Sequence, residues 1–271
     1  MTSPTLTHLL PAPIDAATPH TAQLVVTAVT GTLVFVSLCY ALAVWKRRGT
    51  PLYLIILLGG CVAILTEPAL DLISQIYFPR NGSWTVFEAY GRPMPVWAVF
   101  SYTVFFGTQT FAILEVLRRG ITRAKFWLGV AGVWIFNIAL EVTVLRTHIY
   151  FYFGYQPLRI GDFPAVWLTL NSVGVALAVA IFLRFRDFFT GPRALIAAAV
   201  VPVCQVAALW LGTPHFLLLN SDQSHAAKTL ASAVSVIAGL VVLDAIARMI
   251  CRGSPTEQNV STRALADTAR S

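Results

Sequence analysis

Three carboxylic acids lie in stretches that are otherwise apolar enough to cross a membrane. Glu67 and Asp71 belong to the sequence ILTEPALD, which follows an uncharged, mostly apolar run that begins at Pro51. Glu141 lies in another apolar stretch, four residues after Asn137. An ionised carboxylate inside a bilayer costs several kcal/mol, so such residues face a cavity or a partner group. These acids are therefore the first candidates for chemistry.

Carboxyl groups in an apolar enclosure suit carbocation chemistry. A carboxyl group that is shielded from water keeps its proton near neutral pH and can protonate an alkene or an epoxide. Aromatic faces stabilise a passing cation, and the absence of water prevents its early capture. We therefore predict three catalytic residues, with Glu67 as the general acid and with Asp71 and Glu141 tuning it or collecting the final proton.

The helix rise of 1.5 Å per residue places several polar residues at one depth. Glu67 and Glu141 each lie roughly 22–24 Å along their stretches, within the outer third of the membrane. Asp71 lies one turn further toward the water interface, and Pro68 predicts a helix bend beside Glu67. The side chains of this layer and the aromatic residues around it are the predicted substrate-binding residues, namely Tyr77, Trp97, Tyr102, Phe106, Asn137, Trp167 and Asn171.

The rest of the chain predicts seven membrane-spanning helices that position this layer. Of its 271 residues, 57% are hydrophobic and only 11% are charged, and the mean hydropathy is +0.72. About 20 apolar residues of helix cross a bilayer. We therefore predict an all-α, polytopic integral membrane protein, a seven-transmembrane helix bundle. Its predicted spans run from Gln23 to Trp45, Pro51 to Tyr77, Pro95 to Leu117, Phe126 to Leu145, Pro164 to Phe185, Ala194 to Leu211, and Ala226 to Ile250.

The basic residues orient these spans. They cluster after the first, third, fifth and seventh spans, and the opposite loops hold only Arg80, Arg92, Arg146 and Arg159. By the positive-inside rule the N-terminus lies outside and the C-terminus in the cytoplasm, in a protein of the plasma membrane. The net charge of +7 thus reports topology and not a nucleic-acid partner.

We divide the chain into a flexible extracytoplasmic tail (1–22), a membrane domain (23–252) and a disordered cytoplasmic tail (253–271). The four cysteines and five histidines show no spacing typical of a metal site, and no cofactor motif is visible. The expected partners are the lipid bilayer and a lipid-soluble isoprenoid substrate. The sequence leaves the oligomeric state open.

Two blocks of the sequence echo each other. One reads EPALDLISQIYFPR and continues to RPMPVWAVFSY, and the other reads EVTVLRTHIYFYFGYQP and continues to GDFPAVWLTLN. Each block begins with a glutamate in an outward-going helix and reaches Ile-Tyr-Phe eight or nine residues later. Each re-enters the membrane near a tryptophan, Trp97 or Trp167. A true duplication and a chance match both remain open.

The seven spans, the acid Glu67 in the second helix and the absence of a cofactor motif resemble the integral-membrane terpene cyclases of meroterpenoid and indole-sesquiterpenoid pathways. The resemblance implies protonation-initiated cyclisation by an acid in an early helix and another in a late helix. Glu67 matches the early acid, and the segment VVLDAIAR would place Asp244 at the late one. The depth of Asp244 favours instead a pair with Arg248 near the cytoplasmic end. The repeated blocks are also similar to the membrane lycopene cyclases of carotenoid pathways.

Three hypotheses for the function follow. The first is a membrane-embedded isoprenoid cyclase, for terpenes or carotenoids, that acts by protonation of an alkene or an epoxide. The second is a small-molecule transporter or receptor in which the same acids line an outward-facing pocket. The third is an accessory subunit without chemistry, in which substitutions of Glu67 and Glu141 leave the pathway intact.

Overall fold

The structure, a computed structural model, describes residues 12–251, and the structural statements below concern these residues. The predicted tail at 253–271 and the first half of the predicted tail at 1–22 lie outside them. The remainder of the N-terminal tail is ordered by contacts with the loop after the second helix. The Thr18 amide donates to the Asn81 carbonyl at 2.8 Å, and the Thr18 hydroxyl donates to the Pro79 carbonyl at 3.0 Å.

Seven described helices are long and apolar enough to cross a membrane, which confirms the prediction of a multi-pass integral membrane protein in a lipid bilayer. We number them in chain order. They are α1 (His20–Arg48), α2 (Leu52–Ser74), α3 (Val96–Arg118), α4 (Arg123–Leu145), α5 (Val166–Arg184), α6 (Gly191–Leu219) and α7 (His225–Ile250).

The helix bundle has two chemically different ends. The loops at 75–95 and 146–165 contain short strands, and we call this the strand-bearing end. The opposite end carries most of the basic residues of the loops and helix termini, and we call it the arginine-rich end. The assignment of the strand-bearing end to the outside remains a prediction of the positive-inside rule.

Several helix boundaries differ from the predicted ones by a few residues, and two of these differences have clear local reasons. Helix α2 stops at Ser74, three residues early, because Gln75 adopts a left-handed conformation with φ of 57° and the chain then turns into a strand. Helix α6 continues past Leu211 to Leu219, through a 3-10 turn at Trp210–Gly212. Pro214 follows directly, in the first turn of the next helical segment, where proline is tolerated.

Six short strands were not predicted from the sequence. They form three antiparallel two-stranded ribbons in which β1 pairs with β4, β2 with β3, and β5 with β6. The strands are β1 (Ile76–Tyr77), β2 (Thr85–Ala89), β3 (Arg92–Pro95), β4 (Phe151–Tyr152), β5 (Arg159–Ile160) and β6 (Phe163–Pro164). The first ribbon joins the two echoing blocks, with Ile76 opposite Tyr152 and Tyr77 opposite Phe151. It therefore links the ends of α2 and α4, the helices that carry the acids.

Helices α2 and α5 form the centre of the bundle. Helix α2 packs closely against α3 and α6, and α5 packs against α6 and α7. The contact between α2 and α3 is backbone to backbone, since a Cβ atom on Gly60 would lie only 2.4 Å from the Gly107 nitrogen. Helices α1 and α4 expose most of their length, as expected for helices that face lipid.

Candidate functional site

A break in α2 positions the first two acids. The α-helical part ends at Ala63, a 3-10 turn covers Ile64–Thr66, and a new helical segment runs over Glu67–Ser74. Pro68 lies in the first turn of that segment, where its missing N–H costs no helical hydrogen bond, so the irregular turn forms at the predicted position. Glu67 is 7% exposed, and Asp71, one helical turn further, is 0% exposed.

An irregular stretch of α3 brings Tyr102 to Glu67. The residues immediately after Tyr102, Thr103–Thr108, form a π-helical segment, which the sequence did not predict. Such wide turns are rare and occur frequently at functional sites. The Tyr102 hydroxyl donates a hydrogen bond to Oε2 of Glu67. The predicted layer therefore has a direct contact between two helices.

The third acid reaches the same place from α4. The Tyr150 hydroxyl, from the loop after α4, donates to Oε2 of Glu141. Glu141 lies close enough to Glu67 for the two charges to interact, and both carboxylates also act on the Tyr150 phenol. Two carboxyl groups from separate helices thus converge, and each accepts a hydrogen bond from a tyrosine.

Asp71 is more deeply buried than its position near the helix end suggested. The sequence placed it toward the water interface, but the loop at 75–95 folds back over the end of α2 and covers it. Neither carboxylate oxygen has a hydrogen-bond partner within residues 12–251. The charges that act on it come from Glu67 and from Arg92.

Arg92 is a member of the site that the sequence reasoning treated only as a marker of topology. It begins β3, is 9% exposed and holds its guanidinium 5.2 Å from the ring centre of Tyr77 and 5.8 Å from that of Phe153. Its Nε atom has no hydrogen-bond partner in the described part of the chain. A lone arginine between Gly91 and Pro93, in a loop with few charges, was the available signal.

Tyr150 and Tyr152 are not among the site residues predicted from the sequence. Burial raises the pKa of both phenols well above the ordinary value, and the charge of Glu141 adds to this effect. Tyr152 also lies close enough to Glu67 and Asp71 to interact with their charges. Both hydroxyls therefore remain protonated donors at physiological pH.

The site has an accessible side and a closed side. Tyr102, Glu141 and Tyr152 are half-buried, Glu67 is nearly buried and Asp71 is completely buried. A reactant would thus meet Tyr102 and Glu141 first, with Asp71 behind Glu67. The protonatable groups of the site therefore extend from a half-buried side to a completely buried one.

Aromatic rings cover the site at the strand-bearing end. Trp97 lies 5.5 Å from Phe78 and 5.9 Å from Tyr150, measured between ring centres, and Phe78 stacks on Tyr150 at 5.6 Å. Deeper in the bundle, the Phe106 ring lies 5.0 Å from that of Tyr102. Of the predicted aromatic residues, Trp97, Phe106 and Tyr77 therefore surround the acids or their partners.

Three other predicted residues have different surroundings. Asn171 accepts a hydrogen bond from Gln205 at 3.2 Å, which joins α5 to α6. Trp167 packs against Phe216 with ring centres 5.8 Å apart. Asn137 is 4% exposed, and its Oδ1 atom has no partner within residues 12–251. The single polar layer of the prediction is therefore a compact acid site with a separate α5–α6 contact beside it.

Asp244 lies at the arginine-rich end, at the opposite end of the bundle from Glu67. Its carboxylate accepts hydrogen bonds from Nε of Arg123 and from Nε of Arg248, both at 2.9 Å, and from the Trp127 indole at 3.2 Å. The pair with Arg248 is the one predicted from the spacing. Asp244 is thus tied into a structural ion-pair network.

An apolar groove of about 270 Å³ lies between α3 and α4. Tyr102 and Trp134 both pack against the two hydrophobic clusters of the bundle. The groove is lined by Gln109, Ala112, Ile113, Val116, Leu117, Ile121, Lys125, Phe126, Gly129, Val130, Val133, Ser172, Val175, Ala176 and Leu243.

Comparisons of the chain with protein-family models, curated proteins and solved structures find no match. A functional assignment therefore depends on the geometry and chemistry of the acid site. Buried carboxyl groups that accept hydrogen bonds from tyrosines and lie among aromatic rings can transfer protons to and from an apolar substrate.

Proposed function

We propose that this protein is a membrane-embedded isoprenoid cyclase that begins its reaction by protonating an alkene or an epoxide. The observation that carries the proposal is the convergence of Glu67 and Glu141 from separate helices, each bonded by a tyrosine hydroxyl. The apolar composition of the bundle favours a substrate that reaches the site from the lipid phase.

The proposed reaction uses one carboxylic acid and one carboxylate. Glu67 transfers its proton to a terminal alkene or epoxide, which becomes a carbocation or an opened, positively charged epoxide. Neighbouring double bonds of the substrate attack this centre and form rings. Glu141 removes a proton from the last cation, which restores a double bond. A proton returns from Glu141 to Glu67, so the product of an alkene substrate is its isomer.

The geometry around Glu67 supports its assignment as the acid. Tyr102 bonds one carboxyl oxygen and leaves the other to carry the transferable proton. Asp71, one turn away without a hydrogen-bond partner of its own in the described structure, is positioned to resupply Glu67. The rings of Trp97, Phe78 and Tyr150 provide faces for the passing cation.

The resemblance to membrane terpene cyclases enters the proposal with one change. The early acid remains Glu67. We assign the role of the late acid to Glu141, because Asp244 pairs with Arg123 and Arg248 at the other end of the bundle. Carotenoid-type and terpene-type substrates are both compatible with this assignment.

The test is product analysis in heavy water. Membranes that contain the protein are incubated in D₂O with linear isoprenoid alkenes and terminal epoxides, and the products are analysed by mass spectrometry. We expect a cyclic product from wild type, which carries one deuterium at the initially protonated carbon when the substrate is an alkene, and no cyclic product from Glu67→Gln. Asp162→Asn is the control, because its side chain is 74% exposed at the same end of the bundle. Equal cyclisation by Glu67→Gln and wild type would contradict the proposal.

A transporter with an acidic pocket is the second candidate, and one observation favours it. Asp71 is completely buried between Glu67 and Arg92, an arrangement of charges that also occurs in proton relays of transporters. Proton or solute flux in proteoliposomes, absent from Asp71→Asn, would support transport. A cyclic product without flux would exclude it.

A further inference from the structure

A second cavity adjoins the apolar groove at the arginine-rich end. It has a volume of about 550 Å³, and its walls include Arg118, Arg184 and Arg186. Leu117 lines both this basic cavity and the apolar groove. The two spaces therefore meet at one residue, with arginines on one side and hydrocarbon on the other.

The basic cavity has unused capacity to bind an anion. Arg184 lies over the ring of Phe185, and Arg186 has only a loose contact with Asp187 at 3.6 Å. Arg118 is the most engaged of the three, since it donates to Glu115 at 3.1 Å. Arginine forks match phosphate oxygens, and basic pockets between membrane helices bind phosphorylated head groups.

The groove extends from beside the basic cavity in the direction of the acid site. On α4 it runs from Lys125 past Gly129 to Val133. Asn137 continues this face one turn later, and its buried Oδ1 atom has no hydrogen-bond partner among the described residues. Glu141 follows after another turn. The distance from Lys125 to Glu141 along the helix is about 24 Å.

The opposite wall of the groove, which α5 forms, ends beside Trp134. Ser172 of α5 lines the groove and accepts a hydrogen bond from the Trp134 indole at 2.8 Å. Trp134 and Tyr102 lie at the boundary between the two hydrophobic clusters, and Tyr102 bonds Glu67. An extended chain in the groove would therefore point its far end at the two glutamates.

The groove is open toward the lipid. Val116 on α3 and Gly129 on α4 form its rim, and both are exposed. Helix α4 makes its closest backbone approaches to α5, α7 and β6, which leaves the gap on the side of α3. A lipid-soluble chain can enter sideways between α3 and α4.

We propose that the substrate is a linear isoprenoid diphosphate whose head binds the arginine cavity and whose chain lies in the groove. Its far double bond then reaches Glu67 and Glu141, some 24 Å from Lys125. This inference rests on the proposed function and specifies the class of substrate. The diphosphate is a recognition group and remains intact while the distal end is protonated.

The experiment measures binding and reaction separately. Purified protein in nanodiscs of zwitterionic lipid is titrated with a linear prenyl diphosphate and with the prenyl alcohol of the same chain. Arg184→Gln combined with Arg186→Gln tests the head site, and Gly129→Trp tests the groove. Arg193→Gln and Gly132→Trp are the controls. Arg193 lies outside the basic cavity, and Gly132 lies outside the groove and has open space around its Cβ position.

We expect the double arginine variant to weaken diphosphate binding at least tenfold and to leave alcohol binding unchanged. Gly129→Trp should weaken the binding of both ligands, and the two controls should bind like wild type. Equal diphosphate binding by the double arginine variant and wild type would overturn the proposal. So would equal binding by Gly129→Trp and Gly132→Trp, or complete displacement of the diphosphate by equimolar anionic phospholipid.

Glu67→Gln separates this inference from the proposed function. If wild type and Glu67→Gln bind the diphosphate equally and neither cyclises it, the proposed reaction fails while the site remains. If wild type forms cyclic products and the arginine and Gly129 variants form them at the same rate, the site fails while the reaction remains. Thermal stability of each variant, measured in the same nanodiscs, identifies any loss that is due to misfolding.

Discussion

Each glutamate of the acid site is paired with a tyrosine from a different part of the chain. Tyr102 reaches Glu67 from α3, and Tyr150 reaches Glu141 from the loop after α4. Hydrogen bonds of this kind fix one oxygen of each carboxyl group and thereby orient the other. The proton donor and the proton acceptor of a cyclisation would be held in defined positions in this way.

Removal of one tyrosine hydroxyl should impair the reaction without unfolding the protein. Tyr102→Phe deletes the donor to Glu67, which becomes a charged carboxylate as it gives up its proton, and a hydrogen bond to a charged group contributes about 1.5–3 kcal/mol. We expect the rate of product formation to fall roughly tenfold to a hundredfold. Tyr40→Phe, whose ring stacks on Phe111 far from the acids, should retain the full rate. A wild-type rate for Tyr102→Phe would remove this tyrosine from the mechanism.

Tyr152 should make the fold sensitive to alkaline pH. Its pKa is raised by burial first and by the neighbouring carboxylates second, so the fold favours the neutral phenol. Its contribution to stability is complete below the unfolded pKa of about 10 and is lost as the pH rises toward the higher pKa of the folded state. The melting temperature of Tyr152→Phe should therefore fall less steeply above pH 10 than that of wild type. Tyr90→Phe, at a residue 74% exposed, should follow the wild-type curve.

The residues of the site differ in how far the sequence could identify them. Glu67 and Glu141 stand out because a carboxylate within an apolar stretch is costly and rare. Arg92 and Tyr152 do not, because their positions depend on the folding of two loops over the helix ends. The burial of Asp71 was missed for the same reason.

Among the secondary-structure elements, two helices with irregular turns position the site. Helix α2 changes to a 3-10 turn just before Glu67, and α3 changes to a π-helical turn just after Tyr102. The two helices touch at Gly60 of α2 and at Gly107, which lies within the π-helical turn of α3. The close contact sets the distance between α2 and α3 and thus the bond between Glu67 and Tyr102.

A methyl group at this contact should separate the two helices. In Gly60→Ala the new Cβ atom would lie 2.4 Å from the Gly107 nitrogen, so backbone atoms must move. We expect a loss of roughly 1–3 kcal/mol in the free energy of unfolding. Gly132→Ala has open space and should be neutral or slightly stabilising, since alanine is the better helix former. Equal stability of the two variants would contradict the tight contact between α2 and α3.

Hydropathy predicted the membrane-spanning helices well, because the thickness of the bilayer sets their length and composition. All seven spans were located, because each needs about 20 apolar residues. Pro68 marked the break in α2 correctly. The π-helical turn in α3 and the β1–β4 ribbon left no such pattern, because tertiary contacts stabilise them and two-residue strands are too short to show a periodicity.

The whole molecule has a strand-bearing end with the acid site and an arginine-rich end with the basic cavity. The positive-inside rule predicts that the first faces outward. An impermeant thiol reagent added to intact cells should therefore label Tyr90→Cys, and it should label Asp187→Cys only after permeabilisation. Both positions are highly exposed, with the Asp187 side chain at 95%. The reverse pattern would invert the topology.

The loops at the strand-bearing end connect helices and also contribute residues to the acid site. The β1–β4 ribbon ties the end of α2 to the end of α4, and the same loops supply Arg92, Tyr150 and Tyr152. The acid site therefore exists only when distant parts of the chain have assembled. The echo between the two blocks corresponds to a physical pairing, whatever its evolutionary origin.

The most direct test of the account is a double-mutant cycle on Glu67 and Glu141. The free energy of unfolding is measured for wild type, Glu67→Gln, Glu141→Gln and the double variant, which requires no knowledge of the substrate. Because the two carboxyl groups lie close enough to interact in the folded protein, we predict a coupling energy of roughly 0.5–3 kcal/mol between the substitutions. Additive effects, within about 0.5 kcal/mol, would contradict the convergence of the two acids in one site.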